Sequence, residues 1–180
     1  TEIDCTENGK TYLIEVENEP TKGFIQIVKT DALDGRPIEG VQFDIVDAGG
    51  NVVGTMTTDA SGAAMSPALF KGQYTVREHE NPTGYVAELA QQDATVNPDE
   101  TTYLGASNQP IQGRIRIVKR DQLTKELLAG AEFTVTRLSG LPSHQGAGDG
   151  EVVAVITTDS DGVAETGWLT WGTYRVTESK

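Results

Sequence analysis

The sequence predicts an all-β protein made of tandem β-sandwich modules, and three observations carry that prediction. Val, Ile and Thr recur in short runs bounded by Gly, Pro, Asn and Asp, and no stretch shows the apolar period of a helix. The phrase FIQIVKTD at residues 24–31 returns as RIRIVKRD at residues 114–121, a shift of 90. Further phrases return behind it in the same order, so one supersecondary plan is used twice. The 180 residues allow one or two domains, and a hydrophobic content of 37% is modest but enough for small sandwiches.

Along the chain, NEPTKGFIQIVKT (18–30) matches NQPIQGRIRIVKR (108–120), and IEGVQFDI (38–45) matches LAGAEFTV (128–135). The next matches fall at a shift of 100: TTDASG (57–62) with TTDSDG (157–162), and GQYTVRE (72–78) with GTYRVTE (172–178). The second module therefore carries about ten extra residues, which belong in the Gly-rich loop from Arg137 to Gly150. Residues 19–112 read as a complete module. Residues 113–180 read as a second module without counterparts of the last strands of the first. Residues 1–18 read as two strands around an Asn8-Gly9 turn, and they end in Asn-x-Pro as module one does at Asn108. This hairpin is the C-terminal piece of a module. Thr1 is a poor natural start, so the chain reads as part of something longer. The few residues after Asn18 are too short for the hairpin to reach module two of its own chain past a sandwich roughly 35–40 Å long. The expectation is that it completes a module like 113–180 in trans, head to tail between chains; the alternative is a chain cut from an array, with module two frayed and its hairpin unpaired.

Several function classes are excluded at this level. A net charge of −13 spread along the chain argues against nucleic acid. No apolar run approaches membrane-spanning length, and no signal peptide opens the chain, so no membrane contact is expected in this segment. The one cysteine, Cys5, allows no internal disulfide and reads as a small buried hydrophobe. TTDSDGVAE has a faint calcium-loop flavour, but a turn between strands is the better reading. His79 and His144 lack partners at metal or catalytic spacing. Trp168 and Trp171 read as core or rim packing rather than a sugar platform. No metal and no cofactor is expected.

The alternation of strand side chains singles out six polar residues. In RIRIVKRD, Arg114 and Arg116 must face water, which sends Ile115, Ile117 and then Lys119 to the core face. Ile25, Ile27 and Lys29 follow the same rule. Tyr74, Val76 and Glu78 share a face, as do Tyr174, Val176 and Glu178. Leu104 and Ala106 lead to an inward Asn108, and Ile14 and Val16 lead to an inward Asn18. Each module thus has an inward Lys on its first strand, an inward Glu late in the module and an inward Asn on its last strand.

Two readings of this triad stay open on the residues alone. The first is a buried Lys–Glu ion pair with the Asn completing the hydrogen bonds, whose desolvation cost often exceeds the Coulomb gain. The second is covalent. Burial disfavours charge, so the pair can be held as neutral amine and neutral acid. The amine is then a nucleophile. The acid can polarise the Asn carboxamide and relay protons to departing ammonia. The product is a Lys–Asn amide between first and last strands.

The phrases IVKTD, LAGAEF, TTDxxG, YTVRE…PTGY and the terminal Asn-x-Pro resemble the B-type repeat domains of collagen-binding adhesins and the SpaA-like pilin domains of Gram-positive bacteria. The likeness covers nearly the whole chain. It implies an immunoglobulin-like, prealbumin-like sandwich with a self-formed isopeptide bond. Carried over, it makes Lys29 and Asn108 the bonded pair and Glu78 the catalyst. In module two it marks Lys119 and Glu178, with Asn18 as acceptor, because no Asn or Asp follows Glu178. The function it implies is a structural stalk or backbone segment of a cell-wall-anchored extracellular adhesin or pilus-like protein, its anchor outside this segment. Its partners are neighbouring repeats. Such a chain is no enzyme beyond one turnover on itself. The alternative is a binding module in which the loop 137–150 contacts a host extracellular protein or glycan. A carbohydrate-active or peptidase accessory domain rests on fold analogy only.

Overall fold

A computed structural model describes residue 6 and residues 8–86, 91–141 and 148–180. All regular structure among them is β. In module one, β1 (Lys22–Asp31), β2 (Gln42–Asp47), β3 (Val52–Thr57), β4 (Ala63–Met65), β5 (Leu69–Phe70), β6 (Gly72–Glu78), β7 (Gln91–Val96) and β8 (Thr101–Asn108) form two facing sheets. In the first sheet β1 is flanked by short antiparallel β4 and β5 on one side and by parallel β8 on the other. The second sheet is antiparallel, in the order β3-β2-β6-β7. Ile25, Ile27, Phe43, Ile45, Val76 and Val96 fill the space between the sheets. The inward faces are the ones alternation predicts, since every second residue of β1 from Gly23 to Asp31 is buried.

Two turns fix β1 in place. Asp59 caps the turn after β3, its Oδ1 accepting from the amides of Ser61 at 2.8 Å and Ala63 at 3.1 Å. With the Ser61 hydroxyl as leading cause, these bonds hold the Asp59 carboxyl below its usual range. The turn is therefore the one its sequence predicts. Its Gly62 has φ +75°, and its carbonyl accepts from the Lys29 amide at 2.7 Å. A Cβ at Gly62 would stand 2.4 Å from the Lys29 carbonyl oxygen. Gly62→Ala is expected to cost module one about 1–3 kcal/mol from backbone strain alone. A urea midpoint matching the wild type would show that the turn does not constrain β1.

Module two repeats the plan with β9 (Gln112–Gly113), β10 (Arg116–Val118), β11 (Glu132–Gly140), β12 (Val152–Thr157), β13 (Val163–Glu165), β14 (Leu169–Thr170) and β15 (Gly172–Glu178). β10 pairs β13, β9 pairs β14, and β11 lies between β12 and β15. The correspondence reaches individual bonds. Ser66 Oγ accepts from the Ile25 amide at 2.9 Å, and Thr166 Oγ1 accepts from the Ile115 amide at 3.0 Å.

Module two departs from the expected pattern where counterparts of β7 and β8 would lie. The strand expected over 114–121 is shortened to β10, because β10 has a ladder on one side only, whereas β1 has one on both. Val176 and Glu178 do share the inward face, but among the described residues no strand like β8 covers it. Val176 is 39% exposed where Val76 is 1% exposed. The expected hairpin over 1–18 is not formed among the described residues. Gly9 has the left-handed turn conformation, φ +78°, but residues 10–21 carry no strand, and Ile14, Val16 and Asn18 are exposed rather than inward. A strand needs a ladder partner, and among the described residues none pairs with them. Cys5 lies outside the described residues.

The long loop is also shorter than expected. β11 runs on to Gly140, with a bulge between Arg137 and Ser139. Arg137 is buried and clamps the loop base, donating to the Leu141 and Gly140 carbonyls and to Asp149. His144 lies outside the described residues. Leu141 packs against the core of module one. The modules are joined through Gly84, whose carbonyl accepts from the Ile111 amide at 2.8 Å, while the Ile111 carbonyl accepts from the Trp171 amide at 2.8 Å.

Candidate functional site: a buried lysine, glutamate and asparagine

In module one the three predicted side chains meet. Lys29 and Glu78 are 0% exposed and Asn108 is 3% exposed. Lys29 comes from β1 and Asn108 from the end of β8, where Asp31 and Asn108 are register partners and the Ala32 amide donates to the Asn108 carbonyl at 2.9 Å. Lys29 stands opposite Ala106, so its side chain reaches diagonally, two residues along β8, to the next position on the same face. Glu78 comes from the facing sheet, opposite Phe43 in the β2–β6 ladder. The Phe43 ring lies under the ammonium, its centroid 5.8 Å from Nζ.

The hydrogen bonds close a triangle. Lys29 Nζ lies 3.0 Å from Glu78 Oε2 and 2.5 Å from Asn108 Oδ1. Asn108 Nδ2 donates to Glu78 Oε1 at 3.0 Å. One carboxyl group therefore touches both the amine and the amide nitrogen, and the amine lies against the carbonyl. An amine, a carboxamide oxygen and a carboxyl that touches both nitrogens thus stand within hydrogen-bonding distance of one another, the groups that acyl transfer from a carboxamide to an amine would use.

Further buried polar residues lie near the triangle in the sequence and the sheets, and the sequence reading did not single them out. Asp31 continues the inward series 25, 27, 29 and is 1% exposed. Its carboxylate accepts from the Leu33 amide at 2.8 Å and from the Tyr85 hydroxyl at 3.1 Å, with Arg36 Nη2 at 3.4 Å. Burial first, then the Asp31 charge, pushes the Tyr85 phenol well above its ordinary range. Alternation extended by one step would have found Asp31. Nothing in the pattern marks Tyr85 as its partner, because residues 31 and 85 meet only through the fold. His79 is likewise not isolated. Its Nδ1 lies 3.2 Å from Oδ1 of the buried Asp44, which Arg77 also approaches at 3.3 Å.

In module two Lys119 and Glu178 come together at 2.7 Å, but their side chains are 29% and 43% exposed. Asn18 is exposed. The first two predicted residues are thus brought together and the third is not. Trp168 and Trp171 sit at the rim, with the Arg114 guanidinium 4.3 Å from the Trp168 ring centroid.

A family model for the SpaA prealbumin-like fold domain matches residues 23–110 and again residues 113–180, which is most of the chain. The chain belongs to the SpaA prealbumin-like domain family. Both SpaA domains begin at a glycine of the same repeat, Gly23 and Gly113, as the sequence pairing predicts. The serine-aspartate repeat-containing protein F of Staphylococcus epidermidis is 44% identical over 73 residues, covering 39% of this chain and 4% of that protein. The chain thus spans a small part of that relative. The Bacillus anthracis TIE protein superposes with a TM-score of 0.68 and 27% identity, over 88% of this chain and 28% of its own. A streptococcal ancillary pilin overlaps all of this chain and 60% of its own, at 22% identity and a TM-score of 0.45.

Proposed function

We propose that this segment is a load-bearing stalk of an extracellular Gram-positive adhesin or pilus-like protein, locked in module one by a Lys29–Asn108 amide that Glu78 promotes. The observation that carries the reading is the pairing of β1 with β8. These are the first and last strands of the module, they run parallel, and Lys29 meets Asn108 across them. Tension applied before β1 and after β8 shears this pair. A covalent link between Lys29 and Asn108 passes the load from one strand to the other and leaves residues 30–107 unloaded. Membership in the SpaA domain family supports a structural role over a catalytic one. The reaction runs once, on the chain itself. The test is single-molecule pulling on the full chain. Module one is expected to stay folded, whereas a bondless variant releases roughly 250 Å as its enclosed residues extend. Equal extension in both proteins would reject the clamp.

For module two we propose completion by residues 8–18 of another copy, head to tail. At the repeat shift of 90, Ile14, Val16 and Asn18 fall on Leu104, Ala106 and Asn108, and Gly9 falls on Asp99. Gly9 and Asp99 share the left-handed conformation, φ +78° and +60°. In module one the turn around Asp99 covers Gly23, where an added Cβ would meet the Asn97 carbonyl at 2.1 Å. At Gly113 nothing stands within 4 Å. A cleft of about 260 Å³ beside Gly113, lined also by Leu169, Trp171 and Tyr174, supports this placement. Seating the strand beside β10 brings Asn18 to Lys119 and Glu178. Denaturing electrophoresis is expected to show a ladder of linked chains that Lys119→Ala removes. Monomer alone, on the gel and in solution, would sink the proposal. A host-binding role for the loop 137–150 is the second reading, favoured only by the exposure of Trp171, whose carbonyl accepts from the Leu141 amide at the base of that loop.

A further inference from the structure

The geometry points to Asn81 as a positioning residue for the bond-forming step in module one, holding the leaving nitrogen of Asn108; this rests on the reading of Lys29 and Asn108 as the bonded pair. Asn108 Nδ2 has two hydrogens. One goes to Glu78 Oε1 at 3.0 Å, and the other goes to Asn81 Oδ1 at 3.3 Å. Asn81 cannot flip its amide without loss, because its own Nδ2 donates to the Tyr85 carbonyl at 2.9 Å. That carbonyl is fixed in turn. Tyr85 is anchored through its hydroxyl to Asp31, its amide donates to the Pro82 carbonyl at 3.2 Å, and the residue bridges to Pro110. At Gly84, with φ +90°, an added Cβ would stand 2.9 Å from Leu141 of module two. Asn81 thus presents an oxygen, and only an oxygen, to Asn108.

The consequence is rotational. A carboxamide can turn end over end about χ2, exchanging Oδ1 and Nδ2. With both Nδ2 hydrogens held by Glu78 and Asn81, Oδ1 is left facing Lys29 Nζ at 2.5 Å and Nδ2 faces away from it. In the reaction Nζ adds to Cγ and the carbonyl electron pair moves to Oδ1. One Nζ proton passes through the Glu78 carboxyl to Nδ2. The electron pair returns from Oδ1, the Cγ–Nδ2 bond breaks, and ammonia leaves with the two original hydrogens and the relayed one. Lys29 and Glu78 are fully buried, whereas Asn81 is half-buried. Asn81 therefore also stands between the leaving nitrogen and solvent, on the side by which ammonia departs.

The test follows bond formation by the ammonia lost, using cell-free synthesis of the full chain with a denaturing quench at intervals and mass spectrometry. Misplacing a reacting group costs on the order of tenfold to a hundredfold in rate. Asn81→Ala is expected to slow ammonia loss by about that factor, and Asn81→Asp, which keeps an acceptor toward Nδ2, to recover most of the rate. A structural role alone would show elsewhere: in the bondless Glu78→Ala background, adding Asn81→Ala should lower the melting temperature by only the several degrees that the lost bond to the Tyr85 carbonyl accounts for. Wild-type-like rates in Asn81→Ala, or equal slowing in Asn81→Asp, would overturn the assignment while leaving the bond itself in place. If the wild type loses no ammonia, the reading of Lys29 and Asn108 fails and takes this inference with it.

Discussion

Denaturing mass spectrometry of the wild-type chain should find module one lighter than its sequence by one ammonia, and Glu78→Ala should restore the full sequence mass. Lys29 Nζ and Asn108 Oδ1 are already 2.5 Å apart, so the fold supplies the encounter that a free amine and a free amide would make only rarely. What the pair lacks without Glu78 is a route for the proton. Nζ must lose one as it acylates, and Nδ2 must gain one to leave, and Glu78 touches both nitrogens at 3.0 Å. Positioned general acid–base groups contribute about 10²–10⁴ in rate. Glu78→Gln keeps the shape and loses the relay, so it should be nearly as slow as alanine. An unmodified Lys29 in tandem mass spectra of mature wild-type protein would return the site to a buried ion pair.

Lys29→Ala should lower the melting temperature of module one on the order of 20–30 °C. A cross-link from residue 29 to residue 108 encloses most of the module, and loop-closure entropy puts its effect on the unfolded chain at about 4–5 kcal/mol. The lost packing of a fully buried side chain adds to this. A shift no larger than an ordinary surface substitution produces would count against the cross-link. Acid is the complementary probe. The bond, once formed, does not titrate. The carboxyls of Asp47 and Asp59 in module one do, and both are held below their usual range, first by hydrogen bonds from Asn51 and Ser61 respectively. Depressed carboxyls stabilise fully above their unfolded value and lose that contribution as pH falls through the folded one. Module one should therefore soften below the ordinary carboxylate range without coming apart at β1 and β8. The bondless variant should lose the same contribution over that interval, from a lower starting stability.

The repeat, the turn at Asp59 and the inward positions of Lys29, Glu78 and Asn108 were all legible in the sequence. Each depends on a local rule: a side-chain period of two, a turn residue at a set offset, or a phrase repeated at a constant shift. Local rules say which face a residue takes. They do not say what stands opposite it. Asp31 with Tyr85, Asn81 with Asn108, and His79 with Asp44 pair residues from different strands and loops, and only the packing of one sheet on the other brings them within bonding distance. The same limit explains module two and the first residues of the chain. Alternation correctly places Val176 and Glu178 on one face and marks Ile14, Val16 and Asn18 as another. Burial, however, is a property of two surfaces, and a strand exists only where a neighbouring strand takes up its amides and carbonyls. β1 has β8 beside it, so Lys29 is sealed in. Among the described residues of 113–180, β10 has no such neighbour, so the same lysine at position 119 remains open to water.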